Sequence, residues 1–273
     1  MAVLVTARLV TAGLVTPGLA TVELSFIGRF LWPYARARSL TAAHRSYGMS
    51  PLKVQRTAKS IAVAMAVAAI AIAMMAGAIG AAERPIKIVA LGDSLTAGYQ
   101  LPASAAFPVQ LEQALKAKGI AVEIANAGVS GDTSSGGLAR LDWSVPDGAD
   151  AVILALGAND MLRGIEPKVT RAALTEIVSR LKARRIEVLL CGMLAPPNLG
   201  PDFARAFDAI FTDLAAANDL VFYPFFLEGI AANAALNQRD GLHPSAAGVS
   251  TMVTNILPKV EALLARVRAK PAS

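Results

Sequence analysis

The sequence is poor in the residues that metal and disulfide chemistry require. Its 273 residues include one cysteine, Cys191, and two histidines, of which only His243 follows residue 82. A single cysteine cannot form an intrachain disulfide, and no ligand-spaced group resembles a zinc site. Cys191 lies in the apolar segment VLLCGM, which predicts a small buried strand residue rather than a nucleophile. We therefore expect no metal site.

Basic residues are in excess only in the first third of the chain. The net charge is +6, but residues 1–82 hold eight Lys/Arg and one acidic residue, Glu23. Residues 83–273, here called the body, hold 18 Lys/Arg and 19 Asp/Glu and carry a net charge of −1. The body has no Lys/Arg cluster interleaved with aromatic residues, so nucleic acid is not an expected partner.

One long apolar run lies in front of the body. A basic stretch begins at Met49, and an uncharged apolar run over 61–82 follows it and ends in small residues. This order is typical of a secretory signal peptide, which we assign to 49–82, and it predicts a periplasmic or secreted protein. The run is also close to the roughly 20 residues that a spanning helix needs, so an uncleaved anchor is the alternative. Membrane contact is expected only through this leader.

Residues 1–48 show no clear hydrophobic period and receive no fold assignment. A second basic and apolar element in front of a complete signal peptide indicates that translation starts at Met49. N-terminal sequencing of the native protein that finds residues 1–48 would contradict this interpretation.

Strand-like and helix-like segments alternate along the body. The strand candidates are 86–91, 122–127, 151–156, 188–193 and 220–223, and the helix candidates are 107–118, about 134–142, 167–183, 201–217 and about 245–269. Such alternation predicts an α/β fold with a parallel sheet covered by helices on both faces. Ligands of these sheets bind beyond the carboxyl ends of the strands.

Small polar residues follow each of the first three predicted strands. They are Gly92-Asp93-Ser94, Gly128-Val129-Ser130-Gly131-Asp132 and Gly157-Ala158-Asn159-Asp160. Turn formation explains any one of these loops, because Gly, Asn, Asp and Ser are common turn residues. All three would lie at one edge of the sheet, which favours a functional site there.

A fourth segment, Asp240-Gly241-Leu242-His243-Pro244, supplies an imidazole. The carboxylate of Asp240 is close enough in sequence to hold one ring nitrogen of His243, leaving the other free to take a proton. Ser94, His243 and Asp240 therefore fit the nucleophile, base and orienting group of a serine hydrolase. The N–H groups of Ser94 and Gly131 and the amide of Asn159 are the candidate oxyanion donors.

The blocks GDSLTAGY, NAGVSGDTS, GAND and DGLHP, in this order, resemble the SGNH subgroup of the GDSL hydrolases over residues 86–268. The sequence is similar to the bacterial periplasmic branch of thioesterases, arylesterases and lysophospholipase-like enzymes. The resemblance implies a three-layer, flavodoxin-like sandwich with five parallel strands in the order 2-1-3-4-5. It implies no metal or cofactor.

The resemblance also implies a role for each residue of the predicted site. Ser94 is the implied nucleophile, His243 the base and then the acid, and Asp240 its partner. Ser94, Gly131 and Asn159 form the implied oxyanion hole. The G-x-S-x-G elbow of α/β-hydrolases is absent at 92–96, so we expect Asp93 to brace its loop through backbone N–H groups.

Substrate-binding residues are less well defined by the sequence. Met161 and Leu162 are candidates for an apolar wall along an acyl chain, and Pro196 and Pro197 for the border of the acyl pocket. No Lys/Arg pair lies beside the motifs to clamp a highly charged group. The expected substrates are small acyl esters or thioesters. A polysaccharide acetylesterase is the alternative enzyme, and a non-catalytic envelope protein is the alternative class.

Overall fold

The computed structural model describes residues 62–69 and 84–270. Residues 62–69 are helical, with exposed side chains. The proposed extension 1–48 and most of the predicted signal peptide 49–82 lie outside the described residues, so both assignments remain predictions. Within the described ranges, no helix has the length and apolar character needed to cross a membrane.

The described part of the body contains five strands, eight α-helices and two short 3₁₀ helices, at Ala103–Ala105 and Pro197–Leu199. The strands are β1 (Ile86–Gly92), β2 (Val122–Gly128), β3 (Ala151–Ala155), β4 (Glu187–Cys191) and β5 (Val221–Tyr223). The helices are α1 (Ser94–Ala97), α2 (Phe107–Ala117), α3 (Ser134–Ala139), α4 (Leu141–Ser144), α5 (Ala158–Leu162), α6 (Pro167–Ala183), α7 (Pro201–Asn218) and α8 (Ala246–Ala269).

The five strands form one parallel sheet in the order β2-β1-β3-β4-β5, which confirms the predicted fold class. β3 is buried along its whole length and β1 at all but one position, as the apolar sequences of central parallel strands require. β2 is more exposed because it lies at an edge. The chain passes from β1 to β2 on one side and returns to β3 on the other, which creates a switch point where ligands commonly bind.

Helices cover both faces of the sheet. α2 and α8 pack together on one face, and α3, α6 and α7 cover the other. The apolar residues of α8 recur at helical spacing on its inner side and are fully or almost fully buried: Val249, Met252, Val253, Ile256, Val260, Leu263 and Leu264. Cys191 ends β4 with 1% of its surface exposed, and burial raises the pKa of its thiol. It is the buried strand residue that the sequence predicts.

The helix expected over 134–142 is interrupted, and two short helices were not predicted. α3 and α4 are separated at Arg140. α1 begins two residues after the end of β1, and α5 begins three residues after the end of β3, in segments that the sequence predicts to be loops. With four and five residues, these helices are too short to show an amphipathic period.

Candidate active site

Ser94 is the first residue of α1 and lies two residues beyond the end of β1. Asp93 caps this helix, because its Oδ1 accepts a hydrogen bond from the N–H of Leu95 at 3.0 Å. Gly98 ends the helix with φ of 81°, a left-handed conformation that glycine adopts without strain. The serine hydroxyl is therefore presented at the carboxyl edge of the sheet on a short, capped helix.

Two glycines allow α1 to lie directly on the strand ends. A Cβ at Gly128 would be 2.3 Å from the backbone nitrogen of Ala97, and a Cβ at Gly92 would be 2.1 Å from Oγ1 of Thr96. Both distances are far below van der Waals contact. Glycine at these positions sets how closely the serine helix approaches β1 and β2.

The loop before α8 brings an imidazole to this serine. Nε2 of His243 lies 2.9 Å from Oγ of Ser94, and its Nδ1 lies 2.7 Å from Oδ2 of Asp240. A neutral ring that donates from Nδ1 to the carboxylate presents Nε2 as the acceptor for the serine hydroxyl. The three side chains thus form a hydrogen-bonded series.

Asp240 is held as an anion by its own loop. Its Oδ1 accepts hydrogen bonds from the backbone N–H groups of His243 at 3.0 Å and Leu242 at 2.9 Å. The bond from the N–H of His243 has the largest effect, and together with the bond from Leu242 and the side-chain bond to His243 it lowers the pKa of Asp240 to about 2. The carboxylate is therefore ionised at neutral pH beside the imidazole.

The candidate oxyanion donors come from three strand-end segments. The N–H groups of Ser94 and Gly131 donate to no protein acceptor in the part of the chain that the structure describes. Gly131 has φ of 83°, and a Cβ there would meet only Nη2 of Arg163, at 3.5 Å. The left-handed backbone, not crowding by protein atoms, therefore favours glycine here. Asn159, in α5, uses its Nδ2 to donate to Oδ2 of Asp93 at 3.2 Å.

Asp93 is almost fully buried, with 1% of its surface exposed. Burial raises its pKa to about 6, and the hydrogen bonds from Leu95 and Asn159 oppose that shift. Its bond to Leu95 is the loop-bracing contact expected from the sequence. Its bond to Asn159 was not expected.

Two further side chains brace the strand-end segments. Asp160 is fully buried and accepts hydrogen bonds from the N–H and Oγ of Ser134 and from Oγ1 of Thr170. Arg140 donates to Oδ2 of Asp132 at 2.6 Å and to the carbonyl of Gly92 at 2.9 Å. No motif marks Arg140.

Arg163 is a further basic residue beside the site. Its Nη2 donates to the carbonyl of Gly131 at 2.6 Å and so ties the end of α5 to the loop after β2. The sequence has no Lys/Arg pair beside the motifs, and the structure places one exposed arginine, Arg163, there.

The four predicted substrate-binding residues differ in exposure. Met161 is 8% exposed and belongs to the hydrophobic core, whereas Leu162 is 56% exposed. Pro196 is half-buried and Pro197 exposed, next to Leu194, which is 47% exposed. Among these candidates, Leu162 and the loop after β4 present surface to solvent, and Met161 packs inside.

A parallel sheet of this order, with a serine, a histidine and an aspartate hydrogen-bonded in series at its carboxyl edge, defines a hydrolytic enzyme of the serine esterase class. The chain belongs to the GDSL-like Lipase/Acylhydrolase family, whose model matches residues 90–250.

Similarity to known proteins supports this assignment. The chain is 35% identical to the esterase TesA of Pseudomonas aeruginosa over 178 residues, which are 65% of this chain and 89% of that protein. It is 40% identical to thioesterase 1/protease 1/lysophospholipase L1 of Escherichia coli over 159 residues, 58% of this chain and 75% of that protein. The crystal structure of AlinE4, an SGNH-hydrolase family esterase, matches with a TM-score of 0.57 and 42% identity over 70% of this chain and 100% of that one.

Proposed function

We propose that the protein is an exported serine hydrolase that cleaves acyl esters and thioesters through an acyl-enzyme. The observation that carries this proposal is the hydrogen-bonded series from Ser94 through His243 to Asp240. In the first step, Oγ of Ser94 attacks the acyl carbon while its proton passes to Nε2 of His243. Asp240 stays ionised and stabilises the imidazolium that forms.

The tetrahedral intermediate carries its negative charge on the former carbonyl oxygen. The N–H groups of Ser94 and Gly131 and the amide of Asn159 are the proposed donors to this oxyanion. Collapse of the intermediate breaks the bond to the leaving alcohol or thiol, which takes the proton from His243. The acyl group remains bonded to Ser94.

Water completes the reaction. It gives a proton to Nε2 of His243 as its oxygen attacks the acyl-enzyme, and the same donors receive the second oxyanion. The second collapse breaks the ester bond to Ser94, returns the proton to its Oγ and releases the carboxylic acid. His243 thus acts first as base and then as acid in each half-reaction.

Exposed apolar side chains at the strand ends favour acyl chains over acetate. Val129, Leu194 and Leu242 lie in loops that follow a strand or carry the histidine, and Leu162 is the last residue of α5. Each of these side chains is at least 46% exposed. These side chains offer apolar surface to a chain of several methylenes, and each buried methylene contributes about 0.8 kcal/mol. The relatives named esterase and lysophospholipase support the same substrate class.

The decisive test is the loss of the proposed nucleophile. Ser94→Ala should abolish hydrolysis of p-nitrophenyl esters and labelling by a fluorophosphonate, with the unfolding midpoint unchanged. Ser250→Ala is the matched control, because this exposed hydroxyl donates only to Gln110 on a neighbouring helix. Turnover or labelling retained in Ser94→Ala would remove Ser94 from the proposed role.

The substrate class is tested separately. Hydrolysis rates should rise from acetyl to C8–C12 esters and acyl-CoA thioesters. Preferential release of acetate from acetylxylan or acetylated peptidoglycan would favour the acetylesterase alternative.

Export rests on the sequence of the leader and is tested on the native protein. The periplasmic fraction should contain a protein whose N-terminus lies close to Glu83. A membrane-bound protein that retains residues 61–82 would support the anchor instead.

A further inference from the structure

Gln238 joins the loop that carries His243 to the segment that carries Ser94 and Tyr99. It belongs to none of the four motifs. Its backbone N–H donates to the carbonyl of His243 at 2.8 Å, and its Nε2 donates to the carbonyl of Pro244 at 3.0 Å. The same Nε2 donates to the carbonyl of Tyr99 at 2.8 Å, across 139 positions of sequence. The two hydrogens of this amide are thus divided between the two segments.

Tyr99 contacts the imidazole directly. Its ring centroid lies 4.5 Å from that of His243, with the ring planes tilted by 39°. Tyr99 follows the last turn of α1, so the residue whose carbonyl accepts the bond from Gln238 also covers the histidine ring. Among the described residues its hydroxyl forms one hydrogen bond, which it accepts from the neighbouring exposed Gln100, so the ring is the part that acts on the histidine.

We propose that Gln238 and Tyr99 are positioning residues that hold His243 in line with Ser94. This inference rests on the proposed role of His243 as the base. The bonds of the ring to Ser94 and Asp240 fix its two nitrogens but leave it free to tilt about the line through them. Tyr99 blocks that tilt on one side, and Gln238 holds the backbone of the histidine loop against the segment that carries Tyr99. A displaced imidazole loses the aligned proton transfer that rapid catalysis requires.

Gln238→Glu is the sharpest variant, because it keeps the shape and removes both donated hydrogens. We expect kcat to fall at least tenfold, with KM within twofold of the wild-type value. Gln113→Glu introduces the same charge on the exposed side of α2 and should leave both constants unchanged. Wild-type kcat in Gln238→Glu would overturn the proposal.

Substitutions at Tyr99 test the ring independently. They keep the proposal testable if Gln238→Glu does not fold. Tyr99→Leu should lower kcat at least tenfold, and Tyr99→Phe should restore it to within threefold of wild type. Equal loss in Leu and Phe variants would show that the hydroxyl, not the ring, matters and would contradict the proposal.

A double-mutant cycle separates positioning from a general structural role. In the His243→Ala background, Gln238→Glu should change the residual rate by less than twofold, because no imidazole remains to be positioned. A further tenfold loss would show that Gln238 acts by another route. If Ser94→Ala and His243→Ala lose most of their activity while Gln238→Glu keeps wild-type kcat, the positioning role of Gln238 is overturned and the proposed function stands.

Discussion

At the scale of single residues, the carboxylate of Asp93 serves two parts of the site. One oxygen caps α1, which carries Ser94, and the other accepts a hydrogen bond from Asn159. The second bond fixes which end of the Asn159 amide is the nitrogen, and so directs the remaining N–H hydrogen. A carboxylate that is buried at the cost of a raised pKa thus orients a candidate oxyanion donor.

Asp93→Asn should separate stability from activity. In the folded protein the pKa of Asp93 is raised above its unfolded value. The protonated carboxyl therefore stabilises the fold at low pH, and this stabilisation is lost as the pH rises through about 6. Between pH 4 and 7, the unfolding free energy of the wild type should fall by on the order of 2 kcal/mol relative to that of the variant. Urea unfolding at several pH values measures this difference.

The same variant should lower kcat at least tenfold, because its amide nitrogen would face the Nδ2 of Asn159 and force that group to rotate. Asp202→Asn, at an exposed position, is the control for both measurements. Parallel stability profiles for wild type and Asp93→Asn would contradict the first expectation.

Asn159→Ala should reduce kcat on the order of a hundredfold, the usual effect of removing one oxyanion donor. KM should change little, since the donor acts mainly on the charged intermediate. Steady-state hydrolysis of p-nitrophenyl esters measures both constants, with Asn255→Ala on α8 as the control. A loss below threefold would count against the proposed role.

At the scale of elements, the site is built where short helices begin directly after strands. α1 and α5 place Ser94 and Asn159 within their first two residues, so neither side chain depends on a long loop for its position. Strands β1 and β2 both end in glycine, and a larger residue at either position would push α1 away from the sheet. The closeness of helix to sheet is therefore part of the site.

Gly128→Ala tests this packing. Its Cβ would overlap the backbone of Ala97, so we expect a loss of about 1–3 kcal/mol in unfolding free energy, as overpacking usually costs. Because α1 must shift, kcat should also fall at least tenfold.

Gly148→Ala is the matched control. The added Cβ would have no atom within 4 Å, but the backbone at this position has φ of 84°. It should lose about 1 kcal/mol from backbone strain with kcat unchanged. Similar kcat values in the two variants would contradict the packing argument.

At the scale of the whole molecule, buried polar contacts hold the strand-end segments to one another. Asp160 ties α5 to the start of α3 and to α6, and Arg140 ties the loop after β2 to the end of β1. These contacts make the carboxyl edge of the sheet one connected structure.

Asp160→Ala should be strongly destabilising. It leaves the N–H and hydroxyl of Ser134 and the hydroxyl of Thr170 without their acceptor in a buried place, at about 1–3 kcal/mol for each unsatisfied group. We expect a total loss of about 3 kcal/mol or more in urea unfolding. Asp213→Ala, which breaks one exposed ion pair with Arg171, should change stability by at most about 1 kcal/mol. Equal losses in the two variants would contradict this account.

The strands and long helices were predictable because their signals are local. A buried parallel strand needs a short apolar run, and α8 needs apolar residues at helical spacing, so Ile86–Leu91 and 245–269 were found to within one residue at each end. The strand order came from the family resemblance. The short helices α1 and α5 were missed because one turn of helix has no period to detect.

By itself, the sequence determined the alternation of strands and helices, the polar residues that end the strands and the motifs that supply a serine, an amide, a carboxylate and an imidazole. Only the tertiary structure decided that Gln238 would reach Tyr99 and that Arg163 would hold the carbonyl of Gly131. The physical reason is that these contacts join side chains to backbone carbonyls, which every residue possesses. No pattern of residue types marks which carbonyl will be bound until the fold brings the two segments together.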